Sequence, residues 1–280
     1  ACSDIRRIDR MLSGGIDRTV DLYVPKDSEA GQLHFMIYSV DEPIPLSTAL
    51  PILENMGVKV YSERPYEATL NDGKSFWIQD FHLINESCTA IDIEAIEERF
   101  EECFLAVMRG DAENDGLNRL VFCGNLDWRQ TMLLRCYTKH ILQLGLPFSQ
   151  AYMEEVLIRH SNLVPMLVEL FETQFDPQVA KSRRKAALKR IRAAVDRGVS
   201  KAKNVDEDRI LSAFAGGINA SLRTNYFLTE NELPKSYISI KFDPNKLPEI
   251  PLPKPTFEVF VYSPEVEGIH LRGGAIARGG

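Results

Sequence analysis

Residues 33–62 read LHFMIYSVDEPIPLSTALPILENMGVKVYS, and the hydrophobic period changes twice along them. Leu33, Phe35 and Ile37 alternate with His34, Met36 and Tyr38, the two-residue repeat of a strand with one buried face. A helix follows, because Ser47 is a good N-cap, Pro51 is tolerated in the first turns, and Gly57 suits the left-handed residue past a helix end. Val58 to Ser62 then resumes a strand. Working outward, Asn71-Asp72-Gly73 marks a hairpin turn before a strand over Phe76 to Ile84. Ile93, Ile96, Phe100, Phe104 and Val107 stripe a helix expected from Ile91 to Met108. Strand, helix, strand, strand, helix, with Thr19 to Val24 as the fourth strand, predicts a ferredoxin-like α/β sandwich over residues 16–112, after a helix ending in residues 1–15.

Residues 113–221 read as helical. Asp127 and Gln130 pair as a capping box before a helix whose Leu133, Cys136, Tyr137, His140 and Leu144 share a face, and Gly145 with Pro147 closes it. Ser149 caps the next helix, and Met166, Leu167, Leu170 and Phe171 face inward on a third. A basic helix follows, then one from Asp206 expected to reach Phe227, with Gly216-Gly217 signalling close packing or a kink. Short connections predict a helical bundle. Residues 222–280 add strands over Ser236 to Phe242 and Phe257 to Tyr262, joined by a proline-rich extended connector. The fold class is therefore α+β and multidomain: sandwich, helical bundle, then the first strands of a further domain.

Five cysteines without a Cys-x-x-Cys pair argue against a disulfide framework and a cysteine zinc site, which points to a reducing cytoplasm. Residues 1–10 are charged throughout and no stretch is apolar enough to span a membrane, so neither signal peptide nor membrane insertion is expected. The net charge of −7 hides a basic run: residues 181–203 hold ten basic groups against the single acid Asp196. No aromatic residue interleaves with them, and Leu188, Ile191, Val195 and Ala202 recur at helical spacing, so an internal or intersubunit acidic partner is expected rather than nucleic acid. The histidines look scattered along the sequence: His140 reads as a core residue, His160 as a helix end, and no set of metal ligands emerges. The acidic run Glu94, Glu97, Glu98, Glu101 and Glu102, opposite the apolar stripe of its helix, reads as a solvated face or a partner for the basic helix. The strongest chemical signal is at the end, where a buried strand runs into Arg272-Gly273-Gly274 and Arg278-Gly279-Gly280, a build that brings backbone N–H groups and a guanidinium to a carboxylate.

Several blocks have distinctive wording: Pro45 to Val58, Glu63-Arg64-Pro65-Tyr66-Glu67, Trp77 to Phe81, Leu126 to Arg129, Pro147 to Tyr152, Leu222 to Phe227, Lys241 to Pro244 and Phe257 to Gly280. In order and content the chain resembles the large, NAD-specific type of glutamate dehydrogenase. The resemblance implies an ACT-like regulatory module, a helical connecting region and the start of a catalytic substrate domain. Ala1 and the stop at Gly280 set the expectation of an internal segment. It further implies oxidation of L-glutamate with NAD to 2-oxoglutarate and ammonium, a homo-oligomer, and an amino-acid effector at the ACT-like unit. Arg278, Gly279 and Gly280 look like the counterpart of the family's glutamate-pocket Lys-Gly-Gly, with Arg in place of Lys, and Arg272, Gly273 and Gly274 would wall the same pocket. The lysine segment that supplies the amine catalyst, the downstream acid and the Gly-x-Gly-x-x-Gly loop have no counterpart in this sequence, so no catalytic or NAD-binding residue is assigned and the segment alone is expected to be inactive. The alternative is a stand-alone ACT-type amino-acid-sensing module without catalysis.

Overall fold

The computed structural model describes residues 2–25, 31–69, 73–85, 93–247 and 254–274. Two compact units emerge, the first comprising the chain up to Gly110 with Asn114–Trp128, the second Asp111–Glu113 with Arg129–Gly280.

In the first unit, helix α1 (Cys2–Gly14) leads into β1 (Arg18–Tyr23), β2 (Gln32–Val40), α2 (Leu46–Asn55), β3 (Val58–Thr69), β4 (Ser75–Asn85) and α3 (Ile93–Arg109). The sheet is antiparallel in the order β1-β2-β4-β3. That is the ferredoxin-like order, with the fourth strand contributed from before the first. One face of β2 and β4 presents Leu33, Phe35, Ile37, Phe81 and Leu83 to α2 and α3, where Phe35 meets Phe100 and Phe104 edge to face. On the other face α1 packs Met11 against Tyr38 and Phe76. The N-cap of α2 is Pro45 rather than Ser47, and no side chain caps it; Gly57, at φ 90°, supplies the expected left-handed exit. Asn71, Asp72 and Ile91 lie outside the described residues.

A short 3₁₀ turn and α4 (Arg119–Cys123) close this unit. Cys103 and Cys136 are buried thiols, whereas Cys123 is disulfide-bonded, a departure from the all-thiol reading.

The second unit contains α5 (Trp128–Gln143), α6 (Gln150–Arg159), α7 (Val164–Phe175), α8 (Lys181–Val199) and α9 (Val205–Ala220), then β5 (Ser221–Thr224), the two-residue strands β6 (Thr229–Glu230) and β7 (Leu233–Pro234), and β8 (Ile238–Phe242), β9 (Phe257–Tyr262) and β10 (Glu267–Arg272). Helix α5 is buried nearly all round, Arg135 and Thr138 included, so the single apolar stripe understates its central position. Met166, expected inward, is 36% exposed on α7, while Leu167, Leu170 and Phe171 are buried. Helix α9 stops at Ala220, short of Phe227, because Ser221 turns extended, its hydroxyl bonds back to the Gly217 carbonyl at 2.8 Å, and the chain joins the sheet as β5. The helix runs unbroken through Gly216-Gly217: a Cβ on Gly217 would lie 3.2 Å from the Tyr137 ring, so close packing explains that glycine.

Candidate functional site

The second sheet is antiparallel in the order β10-β9-β8-β5, and its two faces differ in chemistry. Directly opposed residues share a face. Ile238, Ile240, Phe242, Glu258, Phe260 and Tyr262 are buried on the core face. On the outer face the register sets Arg223 beside Lys241, Lys241 beside Val259, Val259 beside His270, and Phe257 beside Arg272. The Lys241 ammonium sits 3.7 Å from the centre of the Phe257 ring, a cation–π contact. The outer-face positions of these described strands carry four basic side chains and no carboxylate.

Arg272 closes β10 half-buried, and its carbonyl accepts the Thr256 N–H at 2.7 Å while the Thr256 hydroxyl donates to the Gly273 carbonyl at 3.0 Å. These bonds fix the point at which the strand gives way to the glycines. Gly273 and Gly274 are exposed, and nothing lies within 4 Å of where a Cβ would stand, so the packing of this chain does not require glycine there. Arg278, Gly279 and Gly280 lie outside the described residues.

Behind this sheet is a buried polar pair that the sequence did not announce. His140 from α5 bonds through Nε2 to Glu258 Oε1 and stacks on Phe242 with ring centres 4.0 Å apart and planes 3° from parallel. Both side chains are almost entirely buried, and His140 Nδ1 has no hydrogen-bond partner among the described residues. His140 is thus a core residue, as its position on an apolar stripe suggested. Its carboxylate partner lies 118 positions away, which helical spacing could not reveal. Nearby, the Tyr262 hydroxyl donates to Glu113 at 2.9 Å, and Lys139 pairs with the same carboxylate at 3.3 Å.

Glu207 is a second buried carboxylate, held by Arg159, by His160 Nε2 at 2.9 Å and by the Lys203 N–H at 2.9 Å. The Lys203 bond first, then His160, keep its pKa below the usual value. Its own N–H donates to Asn204 Oδ1, which caps α9. His160, Arg159, Arg197 and Lys201 line an open cleft of about 350 Å³ beside this group. Along α8, the ion pair found among the described residues is Arg190 with Glu169 at 3.3 Å, both exposed. His270 is exposed on the outer face of β10.

Three successive stretches match known families: residues 17–96 "Glutamate dehydrogenase, ACT3 domain", residues 112–177 "Glutamate dehydrogenase, helical motif 3", and residues 194–280 "Bacterial NAD-glutamate dehydrogenase, catalytic domain". Proteins named NAD-specific glutamate dehydrogenase align over nearly the whole chain. That of Pseudomonas aeruginosa is 39% identical over 264 residues, covering 93% of this chain and 16% of its own length. Those of Mycobacterium tuberculosis and Halomonas elongata are 39% and 36% identical, covering 94% and 96% of this chain and 17% of their own lengths. This chain belongs to the NAD-specific glutamate dehydrogenase family. It corresponds to about a sixth of those relatives, and carries the third ACT domain, a helical motif and the start of the catalytic domain of a glutamate dehydrogenase. The ACT3 match spans the whole sheet β1-β2-β4-β3 and α2 of the first unit and reaches the start of α3, and the sheet β10-β9-β8-β5 falls within the catalytic-domain match.

Proposed function

We propose that this segment serves an enzyme that oxidises L-glutamate with NAD to 2-oxoglutarate and ammonium, and that the outer face of the second sheet helps hold a substrate carboxylate. The reading rests on one observation: Arg223, Lys241, His270 and Arg272 share a face on which the described strand positions carry no acid, inside the stretch that matches the catalytic domain. Such a face attracts a dicarboxylate, and a guanidinium can hold one carboxylate through two parallel N–H bonds. Arg272 offers that fork at the strand end, and Arg278 with Gly279 and Gly280 completes the pocket by resemblance. Nothing in this sequence supplies the dinucleotide loop, so NAD belongs to another part of the parent enzyme.

In this reading residues 1–15 end a preceding helix, 16–112 form the ACT domain, 113–221 the helical domain and 222–280 the start of the substrate domain. The ACT domain contributes to a homo-oligomer through β3, a twelve-residue edge strand with Tyr61 and Tyr66 exposed. Its open backbone edge is suited to pairing with another copy, and an amino-acid effector would bind at such an interface.

In the full-length enzyme, Arg272→Ala and Arg278→Ala should each lower kcat/KM for glutamate about ten- to hundredfold, since a charged hydrogen bond contributes roughly 1.5–3 kcal/mol. The lysine variants should retain part of the activity, because the charge survives and the fork does not. Unchanged glutamate kinetics in both alanine variants would overturn the assignment. The segment by itself should give no glutamate-dependent NADH.

A further inference from the structure

On the ACT sheet, α1 covers one end of the outer face with Met11, and at the other end the register assembles two imidazoles and a carboxylate beside a groove. His34 on β2 stands directly opposite His82 on β4. Asp80 lies two residues before His82, hence on the same face. Asp80 Oδ1 is 2.8 Å from His34 Nδ1, and Oδ2 is 3.5 Å from His82 Nε2. The two rings are 4.1 Å apart between centres, and one ligand atom from each of the three residues lies within 4.8 Å of the others.

We propose that His34, Asp80 and His82 form a binding site for a divalent first-row transition ion, with Zn²⁺ the best match. Two imidazoles and one carboxylate without thiolate are a borderline-hard donor set that suits Zn²⁺ and disfavours Cu(I). Bonds of about 2.0–2.2 Å to a tetrahedral ion place ligand atoms roughly 3.3–3.6 Å apart, so the present spacings need only small side-chain rotations. The ligands come from the two central strands of the sheet, whose pairing is continuous from Gln32↔Ile84 to Val40↔Phe76, so their backbones are already in place.

Access and the remaining coordination position follow from the neighbouring edge. The register between β3 and β4 shifts between Val60 and Ser62, which leaves Tyr61 unpaired and 78% exposed. Tyr61, Gln32 and Ile84 join both histidines around a groove of about 400 Å³. The ligand side chains are 12–29% exposed, shielded enough to bind and open enough to load. Three protein ligands leave the fourth position to water in the groove. The site lies in the ACT unit and owes nothing to the glutamate chemistry proposed for the other unit.

The test is metal binding by the whole chain after removal of adventitious ions with chelator. Calorimetry with Zn²⁺ should give one site of micromolar or tighter affinity. Co²⁺ should give the intense visible absorption of a four-coordinate nitrogen–oxygen site. His34→Ala, Asp80→Asn and His82→Ala should each weaken Zn²⁺ at least tenfold, while His270→Ala leaves it unchanged. Should a variant misfold, Co²⁺ added to the unsubstituted chain must still shift the imidazole proton resonances of His34 and His82 ahead of those of His140, His160 and His270. No binding at 100-fold excess of metal over a micromolar protein sample, affinity that survives loss of either histidine, or a Co²⁺ shift elsewhere would overturn the site and leave Asp80 as a hydrogen-bond partner of two imidazoles.

Discussion

Replacing His140 by leucine should test how the buried pair supports the second sheet. Glu258 is 2% exposed on the core face of β9 and its identified partner is His140. Removing the imidazole strands a carboxylate in the core, a loss that costs about 3–5 kcal/mol when one partner of a buried pair is deleted. Losing the stack on Phe242 adds on the order of 0.5–1 kcal/mol. Glu258→Leu leaves the buried imidazole lacking its hydrogen-bond partner, which should cost about 1–3 kcal/mol. The double variant His140→Leu/Glu258→Leu replaces both by apolar groups and should lie within about 2 kcal/mol of the original, since well-packed apolar residues often replace a buried pair without loss. The cycle therefore predicts a coupling of at least about 2.5 kcal/mol, because the single costs together exceed that of the double variant. Urea unfolding followed by circular dichroism gives the totals, and hydrogen exchange at the amides of α5 and β9 isolates the second unit. Additive single effects, or a cost below about 1 kcal/mol for His140→Leu, would refute the claim that the pair is coupled in the core.

Burial raises the Glu101 carboxyl from 4.5 to about 7, against the opposing Leu22 N–H bond and Arg7. The folded state then holds a proton that the unfolded state releases, so stability is highest below about pH 4.5 and falls as pH rises through 7. Glu101→Gln should flatten this dependence and raise stability at pH 8 by about 1–2 kcal/mol after allowance for solvent screening, checked by urea titrations at pH 5 and 8. Gly217→Ala gains about 1 kcal/mol of helix propensity but drives a Cβ against a buried ring, at a cost of about 1–3 kcal/mol. A lower melting temperature is expected, and a higher one would show that Tyr137 yields. If α8 serves an acidic protein surface, the chain should bind duplex DNA weakly and lose it steeply with added salt; selective binding at physiological salt would reverse that assignment.

The ACT sandwich was legible because each of its elements carries a local period. Leu33, Phe35 and Ile37 alternate, Ile96, Phe100 and Phe104 stripe, and the order of elements selects one topology. The end of α9 was not legible, since Ser221 leaves the helix in order to pair with Phe242 on a strand twenty-one residues later. Burial of α5 on all sides was missed for a similar reason: Arg129 and Arg135 look like a polar face until the surrounding structure encloses them.

Sites show the same division between local and distant information. Arg272-Gly273-Gly274 stands out because three unusual residues are adjacent, yet the structure adds what adjacency could not: the arginine shares a face with Lys241 and His270 on neighbouring strands. His34 and His82 read as scattered because they are 48 positions apart, although Asp80 and His82, two residues apart on a predicted strand, already shared a face. Register is the missing quantity in both cases. Once β2 is paired to β4, and β8 and β10 to β9, residues that are chemically ordinary in isolation become a donor set on one sheet and a cationic face on the other. Each face can then be perturbed separately, because the first lies within the ACT3 match and the second within the catalytic-domain match.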